Sequence, residues 1–512
     1  VVNSERCAAM NFSSETNVSS KRAVAVEHGK NVEAFRSPRK WGHYARKKEI
    51  VYMKPMKLEQ IAVMAEGLVL SGDPALALTS VHFDTRQLDA GALFVAIQGV
   101  RDGHDYLLQA VERGAQAAII SNQQKIPENL PEGFGLILVN DTLRAFQKLA
   151  KNYRRLFPIP MVAVTGSIGK TTTKDIVSHV LESKLSIHKT YKNLNNHLGV
   201  PYSLLQLADS HQAAVLELGM NHAGEIDLLA SLVKPRISVI TYIGESHLEF
   251  FGSREKIALA KAELLPHTDP DGLVLLNGDN EYLRKIAHLY PGKVLTYSVE
   301  GPADIWAERI TAEENGMAFD VCFRGGDRFS AFLPLFGSHN VLNALPAVAI
   351  ARHFGMTDEE IIRALAAVKL SAMRFERKNS VTGAVYISDA YNASPTSMEA
   401  AVSTFADILP DRTKVLVLGE MYELGPDSGE MHAQVGRFAS KLRDRFSLLV
   451  AIGELARPLY EAYEGEKRFF AAKEEAADLL ASLCDSSHAF LFKASRGMEL
   501  WTLLEEIEKR QG

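Results

Sequence analysis

Between residues 162 and 173 the chain reads Val-Ala-Val-Thr-Gly-Ser-Ile-Gly-Lys-Thr-Thr-Thr, and no other segment narrows the fold as much. A short apolar run enters a loop with glycine at 166 and 169. Ile176, Val177, Val180 and Leu181 then give the following segment the apolar face of a helix. Strand, glycine loop and helix in that order make an anion cradle. Gly166 and Gly169 let backbone amides approach phosphate oxygens, and the helix N-terminus adds partial positive charge. Lys170 is expected to neutralise the β- and γ-phosphates of ATP and the Thr171 hydroxyl to ligate Mg²⁺. Thr165, Ser167, Ile168 and Thr172 complete the loop. The longer general motif would place a further glycine at 164, where Val164 stands, so this is the shorter T-G-x-x-G-K-T form. The plain alternative is an ordinary strand–turn–helix with a surface lysine. Taken alone, the loop leaves motors, switches, kinases and ligases open.

At 512 residues the chain exceeds the ~250–300 that one core can fill. Apolar runs alternate with helical patterns in three stretches, which predicts an α/β protein of three domains. Residues 53–155 read as a small α/β unit. Its strands are expected at 92–97, 117–120 and 135–139, with a helix over 105–114 and an earlier helix carrying Leu58, Ile61, Ala62 and Ala65 on one face. Residues 156–373 form a central P-loop ATPase-like parallel sheet, with strands at 161–164, 213–218, 237–243 and 273–276 and a closing helix over 340–353. Residues 374–512 predict an open, Rossmann-like doubly wound sheet with strands at 385–388, 414–418, 447–452 and 489–492. Residues 1–52 show no sustained period and are rich in Ser, Asn, Lys and Arg. They read as a disordered extension without a catalytic part, the alternative being a basic tail for a partner or membrane surface.

The net charge of −5 supplies no basic field for nucleic acid. Cys7, Cys322 and Cys484 lie far apart, which argues against a zinc site or a disulfide framework. No apolar run reaches the ~18–20 residues that span a bilayer. A cytoplasmic location is the expectation, and nothing in the pattern requires more than a monomer.

The segments after the loop limit the function further. Asn193-Leu-Asn-Asn-His-Leu-Gly-Val-Pro201, Glu217-Leu-Gly-Met-Asn221, Gly244-Glu-Ser-His-Leu-Glu249, Ala260-Lys-Ala-Glu263, Asn277-Gly-Asp279 and Phe336-Gly-Ser-His-Asn-Val-Leu-Asn343 follow in order. In this order and spacing the chain resembles the Mur ligases, a group that also includes folylpolyglutamate synthetase, over nearly all of residues 56–510. Asp389-Ala-Tyr-Asn-Ala-Ser-Pro395, Gly419-Glu-Met-Tyr-Glu-Leu-Gly425 and Lys493-Ala-Ser-Arg-Gly-Met498 are similar to the branch that adds D-alanyl-D-alanine to UDP-N-acetylmuramoyl-tripeptide. Phe83-Asp-Thr-Arg86, Leu93-Phe-Val-Ala96 and Asp102-Gly-His104 resemble the UDP-sugar-binding domain of that branch and of the ligase that adds the third peptide residue, whose D-N-P-R segment is not found here. Ala494 departs from the pattern, since a glycine is usual there.

The resemblance implies an ATP-dependent ligase working through an acyl phosphate, with two Mg²⁺ sites. Thr171 and Glu217 would hold one ion. His247 and Lys261, the lysine carbamylated, would serve the other. Asn277, Asp279, Asn340 and Asn343 would line the nucleotide cleft, with Arg374 and Asp389 reaching the γ-phosphate and ribose from the third domain. A helix puts Asn340 and Asn343 on one face, though a helix-capping role for Asn340 stays open. Asn196 would face the muramoyl peptide and Asp84, Thr85 and Arg86 the UDP portion. Asn392, Lys493, Ser495 and Arg496 would face D-alanyl-D-alanine. His432 matches a family histidine without a physical role. Ligands spread over three domains predict closure about a hinge near residues 370–374. The alternatives are another Mur-type or folylpolyglutamate-type amide ligase, or a binder of muramoyl nucleotides without turnover.

Overall fold

A computed structural model describes residues 53–369 and 373–511. The extension over residues 1–52 and the start of the expected hinge, residues 370–372, lie outside the described residues. Three sheets carry the fold. The first has five strands in the order Leu68–Ser71, Gly135–Leu138, Ala115–Ile120, Ala92–Val95, Ser80–His82, all parallel except the outer Leu68–Ser71. Helix Leu58–Ala65 packs Leu58, Ile61, Ala62 and Ala65 into its core, as the spacing predicts.

The central sheet has nine strands. Met161–Thr165 lies between Ala213–Glu217 and Ile237–Ile240, flanked in turn by Ile187–Lys189 and by Leu273–Asn277 and Lys293–Ser298. These six are parallel, and the inner four are almost wholly apolar, as strands covered on both faces must be. Because they are parallel, their C-terminal ends share one edge, where ligands of open α/β sheets bind. Thr165 and Glu217 therefore arrive together. Beyond Lys293–Ser298 the sheet continues as an arm, Ile305–Glu313, Gly316–Phe323 and Arg328–Leu333. Its strands pair antiparallel with one another, a feature the parallel expectation did not include. Asn315-Gly316 and Gly325-Gly326-Asp327 mark its two turns, and such pairs are hairpin signals.

Helix Lys170–Glu182 leaves the phosphate loop and shares an apolar core with helix Ser338–His353. A further helix, Asp358–Ala366, follows before the chain reaches the third sheet. That sheet has six strands in the order Glu376–Asn379, Val385–Ser388, His488–Lys493, Thr413–Gly419, Leu448–Ile452, Lys467–Phe470. Only the first is antiparallel. Adjacent strands Val385–Ser388 and His488–Lys493 thus end side by side, which delivers Asp389 and Lys493 to one place.

Candidate active site

A cleft of about 490 Å³ runs from the phosphate loop to the C-terminal ends of the third sheet. Ser167 to Thr172, Glu217, His247, Asn340, Asn343, Arg374 and Asp389 all line it, with Asn196, Asn392 and Lys493. Close contacts and hydrogen bonds fix the shape of the loop. Gly166 has φ +149°, and a Cβ there would fall 2.0 Å from Thr241 Oγ1. Gly169 has φ +85°, and a Cβ there would fall 2.4 Å from Asn343 Oδ1. Thr165 Oγ1 donates to Leu218 O at 2.8 Å, and Thr241 Oγ1 to Ile168 O at 2.5 Å. Lys170 Nζ donates to Gly166 O at 2.7 Å and Ser167 O at 3.2 Å, so its ammonium curls over the loop. Burial draws the Lys170 pKa down, Glu217 opposes this, and Arg374 adds to it.

Glu217 ends its strand almost fully buried. Asn195 Nδ2 donates to its Oε1 at 2.7 Å, while Oε2 has no partner among the described residues. A buried carboxylate oxygen left without a donor costs free energy unless something cationic meets it. Lys261 is buried in helix Arg254–Ala262 with no partner for Nζ among the described residues. Burial, with Lys170 nearby, pushes its pKa well below the usual lysine range. It does not line the cleft, although His247 does. His247 adopts φ +66°, and its Nδ1 lies 2.5 Å from Glu423 Oε2 at the end of the third sheet. Among the described residues no three His, Cys, Asp or Glu side chains come together as a metal cage.

Arg374 Nη2 donates to Thr171 Oγ1 at 3.2 Å, so the third sheet reaches the phosphate loop. The residues on either side of Arg374 are both left-handed, Met373 at φ +62° and Phe375 at φ +51°. Such strain persists only where neighbours fix it. Here Phe375 N donates to Asp389 Oδ1 at 3.3 Å and Met373 N to Glu376 Oε2 at 2.8 Å. Lys493, expected on the dipeptide side, lines the cleft but is committed to Asp389 Oδ2 at 2.6 Å and Asn392 O at 3.1 Å.

Other expected residues, Asn340 apart, sit outside the cleft. Asn277 Oδ1 accepts from Asp279 N at 2.9 Å, and Asp279 accepts from Val299 N at 2.9 Å, so both brace the edge of the central sheet. Asn340 is not a side-chain cap of its helix; its Nδ2 donates to Phe336 O at 2.8 Å. Ser495 is buried and its Oγ accepts from Tyr422 N at 2.9 Å, while Arg496 is exposed. In the first sheet's domain, Asp84 accepts from Arg86 and Thr85 Oγ1 donates to Gln109 Oε1 at 2.6 Å, apart from this cleft. His432 now has a physical role. Its buried ring accepts from Met421 N at 2.9 Å through Nε2 and, through Nδ1, lies 2.7 Å from Ser428 O, pinning the loop that carries Glu423. Asn195, Tyr391 and Glu423 stand within the motifs, but the sequence marks no role for them. Their adjacency to Asn196, Asn392 and Tyr422 hid them, since sequence does not say which neighbour points inward.

Comparison with known proteins meets this geometry at each sheet. The Mur ligase family catalytic domain matches residues 77–154, the Mur ligase middle domain 164–351 and the Mur ligase glutamate ligase domain 373–496. A Bacillus subtilis UDP-N-acetylmuramoyl-tripeptide–D-alanyl-D-alanine ligase is 37% identical over 459 residues, 88% of this chain and 98% of that protein. The chain belongs to the Mur ligase family. Within it the chain is of the MurF type, an ATP-dependent ligase. MurF from Acinetobacter baumannii superposes with a TM-score of 0.81 at 31% identity, covering 89% of this chain and 99% of that one. MurF ligase from Thermotoga maritima in complex with ADP gives 0.75 at 28% identity, covering 84% and 97%. No helix among the described residues is long and apolar enough to cross a membrane.

Proposed function

We propose that this Mur ligase joins D-alanyl-D-alanine to UDP-N-acetylmuramoyl-tripeptide at the expense of ATP, forming a peptidoglycan precursor. The observation that carries the proposal is the cleft itself. A phosphate loop, the half-free carboxylate of Glu217 and an arginine from a second sheet meet there, so two anions can be held together. The terminal carboxylate of the tripeptide attacks the γ-phosphorus and ADP leaves. The dipeptide amine then attacks the acyl carbon, phosphate leaves, and the amine loses a proton. Lys170 and Arg374 counter charge on the transferring phosphoryl group, Arg374 with a fork suited to two oxygens.

The donor set fits Mg²⁺ at Thr171 and Glu217, because Glu217 Oε2 is a buried oxygen without a partner among the described residues. Bound there, the ion would neutralise phosphate charge. Lys261 fits carbamylation. Burial, which draws the pKa of this amine down, favours its free-base form, and a free amine gives with carbon dioxide a carbamate and a proton. The carbamate would supply an anionic oxygen donor that, with His247, would serve a second ion. Asn340 and Asn343 are assigned to the nucleotide, Asn196 to the muramoyl peptide, Asp84, Thr85 and Arg86 to the UDP portion, and Asn392 and Arg496 to the dipeptide. The three functional regions divide near residues 155 and 373, and the protein acts as a cytoplasmic monomer.

Release of ADP and phosphate tests the reaction class. Both should appear only when ATP, the muramoyl tripeptide and the dipeptide are all present. Release that is indifferent to the dipeptide, or that needs a single amino acid instead, overturns the substrate assignment.

A further inference from the structure

Tyr391 lies three residues past the strand Val385–Ser388 and lines the cleft. Two guanidinium groups rest against its ring. Arg374 Cζ is 4.1 Å from the ring centroid and Arg496 Cζ is 5.2 Å. Arg496 Nη1 also donates to the Tyr391 hydroxyl at 3.4 Å. Among the described residues neither arginine pairs with a carboxylate. The negative face of the ring is therefore what attracts both cations.

The two arginines belong to opposite ends of the reaction proposed above, and the inference rests on that reading. Arg374 touches Thr171 of the phosphate loop. Arg496 opens the turn Arg496–Met498, just after the strand that ends in Lys493. Lys493 is already neutralised by Asp389, so Arg496 is the cation left for a carboxylate on the acceptor side. The loop of Tyr391 also fixes the backbone of Arg374, because Asp389 Oδ1 accepts from Phe375 N in the left-handed bend. Residues 389–391 thus grip Arg374 twice, by its main chain and by its side chain.

We propose that Tyr391 is a positioning residue shared by the two half-reactions. Its ring holds Arg374 toward the transferring phosphoryl group, and its ring and hydroxyl together hold Arg496 toward the carboxylate of the incoming dipeptide. One side chain thereby sets both the geometry of phosphoryl transfer and the binding of the acceptor.

Tyr391→Leu and Tyr391→Phe in the full chain test this. Steady-state kinetics separate kcat from the KM of each substrate. Positional isotope exchange in labelled ATP, without dipeptide, reads acyl-phosphate formation alone. Tyr391→Leu should lower kcat and the exchange rate together by about tenfold and raise the dipeptide KM several-fold, since both cation–ring contacts are lost. Tyr391→Phe keeps the ring and loses the hydroxyl. It should recover most of kcat and of the exchange while leaving the dipeptide KM raised. A Leu variant with kcat and exchange within about twofold of wild type overturns the proposal. So does one whose dipeptide KM has not moved. If the Leu variant does not fold, the Phe variant decides, and it must raise the dipeptide KM by more than it lowers kcat. A wild-type chain that forms no dipeptide adduct removes the proposed function and this inference with it. An active wild type with an unaffected Leu variant removes this inference alone.

Discussion

Asp389→Ala leaves the ammonium of Lys493 buried without its counter-charge. The Lys493 side chain is 3% exposed and lies 2.6 Å from Asp389 Oδ2, while Asp389 is 19% exposed. Removing one partner of a buried pair costs about 3–5 kcal/mol. Asn392 O stays 3.1 Å from Nζ, and water can reach the vacated position, so the low end applies, about 3 kcal/mol. For a domain of ~150–250 residues each kcal/mol moves Tm by ~2–4 °C, so the melting temperature should fall by about 6–12 °C. Asp389→Ala with Lys493→Met removes both charges and should recover most of that loss, because the attraction within a buried pair largely offsets its desolvation. Turnover should not recover in the double variant. Asp389 Oδ1 also holds Phe375 N at 3.3 Å, and without it the bend that presents Arg374 is released. Thermal melts followed by circular dichroism, with ligase turnover on the same samples, read both quantities. Single and double variants melting within about 1 °C of each other would refute the argument, since removing the stranded ammonium would then recover nothing.

Gly166→Ala should abolish tight ADP binding by calorimetry. Its Cβ would meet Thr241 Oγ1 at 2.0 Å, and that hydroxyl is tied to Ile168 O; Gly301→Ala, which meets nothing within 4 Å, is the control. Burial, aided by the charge of His211, holds the His188 pKa down to about 4 from 6.5. The unfolded chain then binds more protons between those values. The stability from keeping His188 neutral is complete above about pH 6.5 and is lost as pH falls toward about 4. The urea midpoint should therefore drop less on acidification for His188→Leu than for wild type, and equal drops would refute the assignment. Carbon-13 bicarbonate should give a carbamate resonance in the wild type that is missing in Lys261→Arg; no resonance in either would exclude carbamylation under those conditions.

The parallel core of the fold was legible because its strands are continuous apolar runs. Met161–Thr165, Ala213–Glu217 and Val385–Ser388 fall within a residue of their predicted bounds. The arm over 305–333 does not stand out in the sequence although Asn315-Gly316 signals a hairpin, because charged residues such as Glu308, Arg309 and Asp320 interrupt its apolar runs. At the site, the phosphate loop and Glu217 could be read from chemistry at fixed spacing. Lys493 could not. Its type suggests a ligand for a carboxylate, and only the side-by-side ends of two distant strands reveal that Asp389 already occupies it. Asn277 and Asp279 were placed in the nucleotide cleft by their motif, whereas hydrogen bonds to each other and to Val299 turn them toward the sheet edge. Contacts between residues 100 positions apart are set by topology, which local pattern does not carry.

The central claim is the bond that is made. The chain should be incubated with ATP, Mg²⁺, D-alanyl-D-alanine and UDP-N-acetylmuramoyl-tripeptide carrying either diaminopimelate or lysine, and the nucleotide product weighed by mass spectrometry. A gain of one dipeptide less one water, dependent on all the substrates, is the predicted result, and it also shows which third residue is preferred. No adduct with either tripeptide, from protein shown to be folded, would contradict the account.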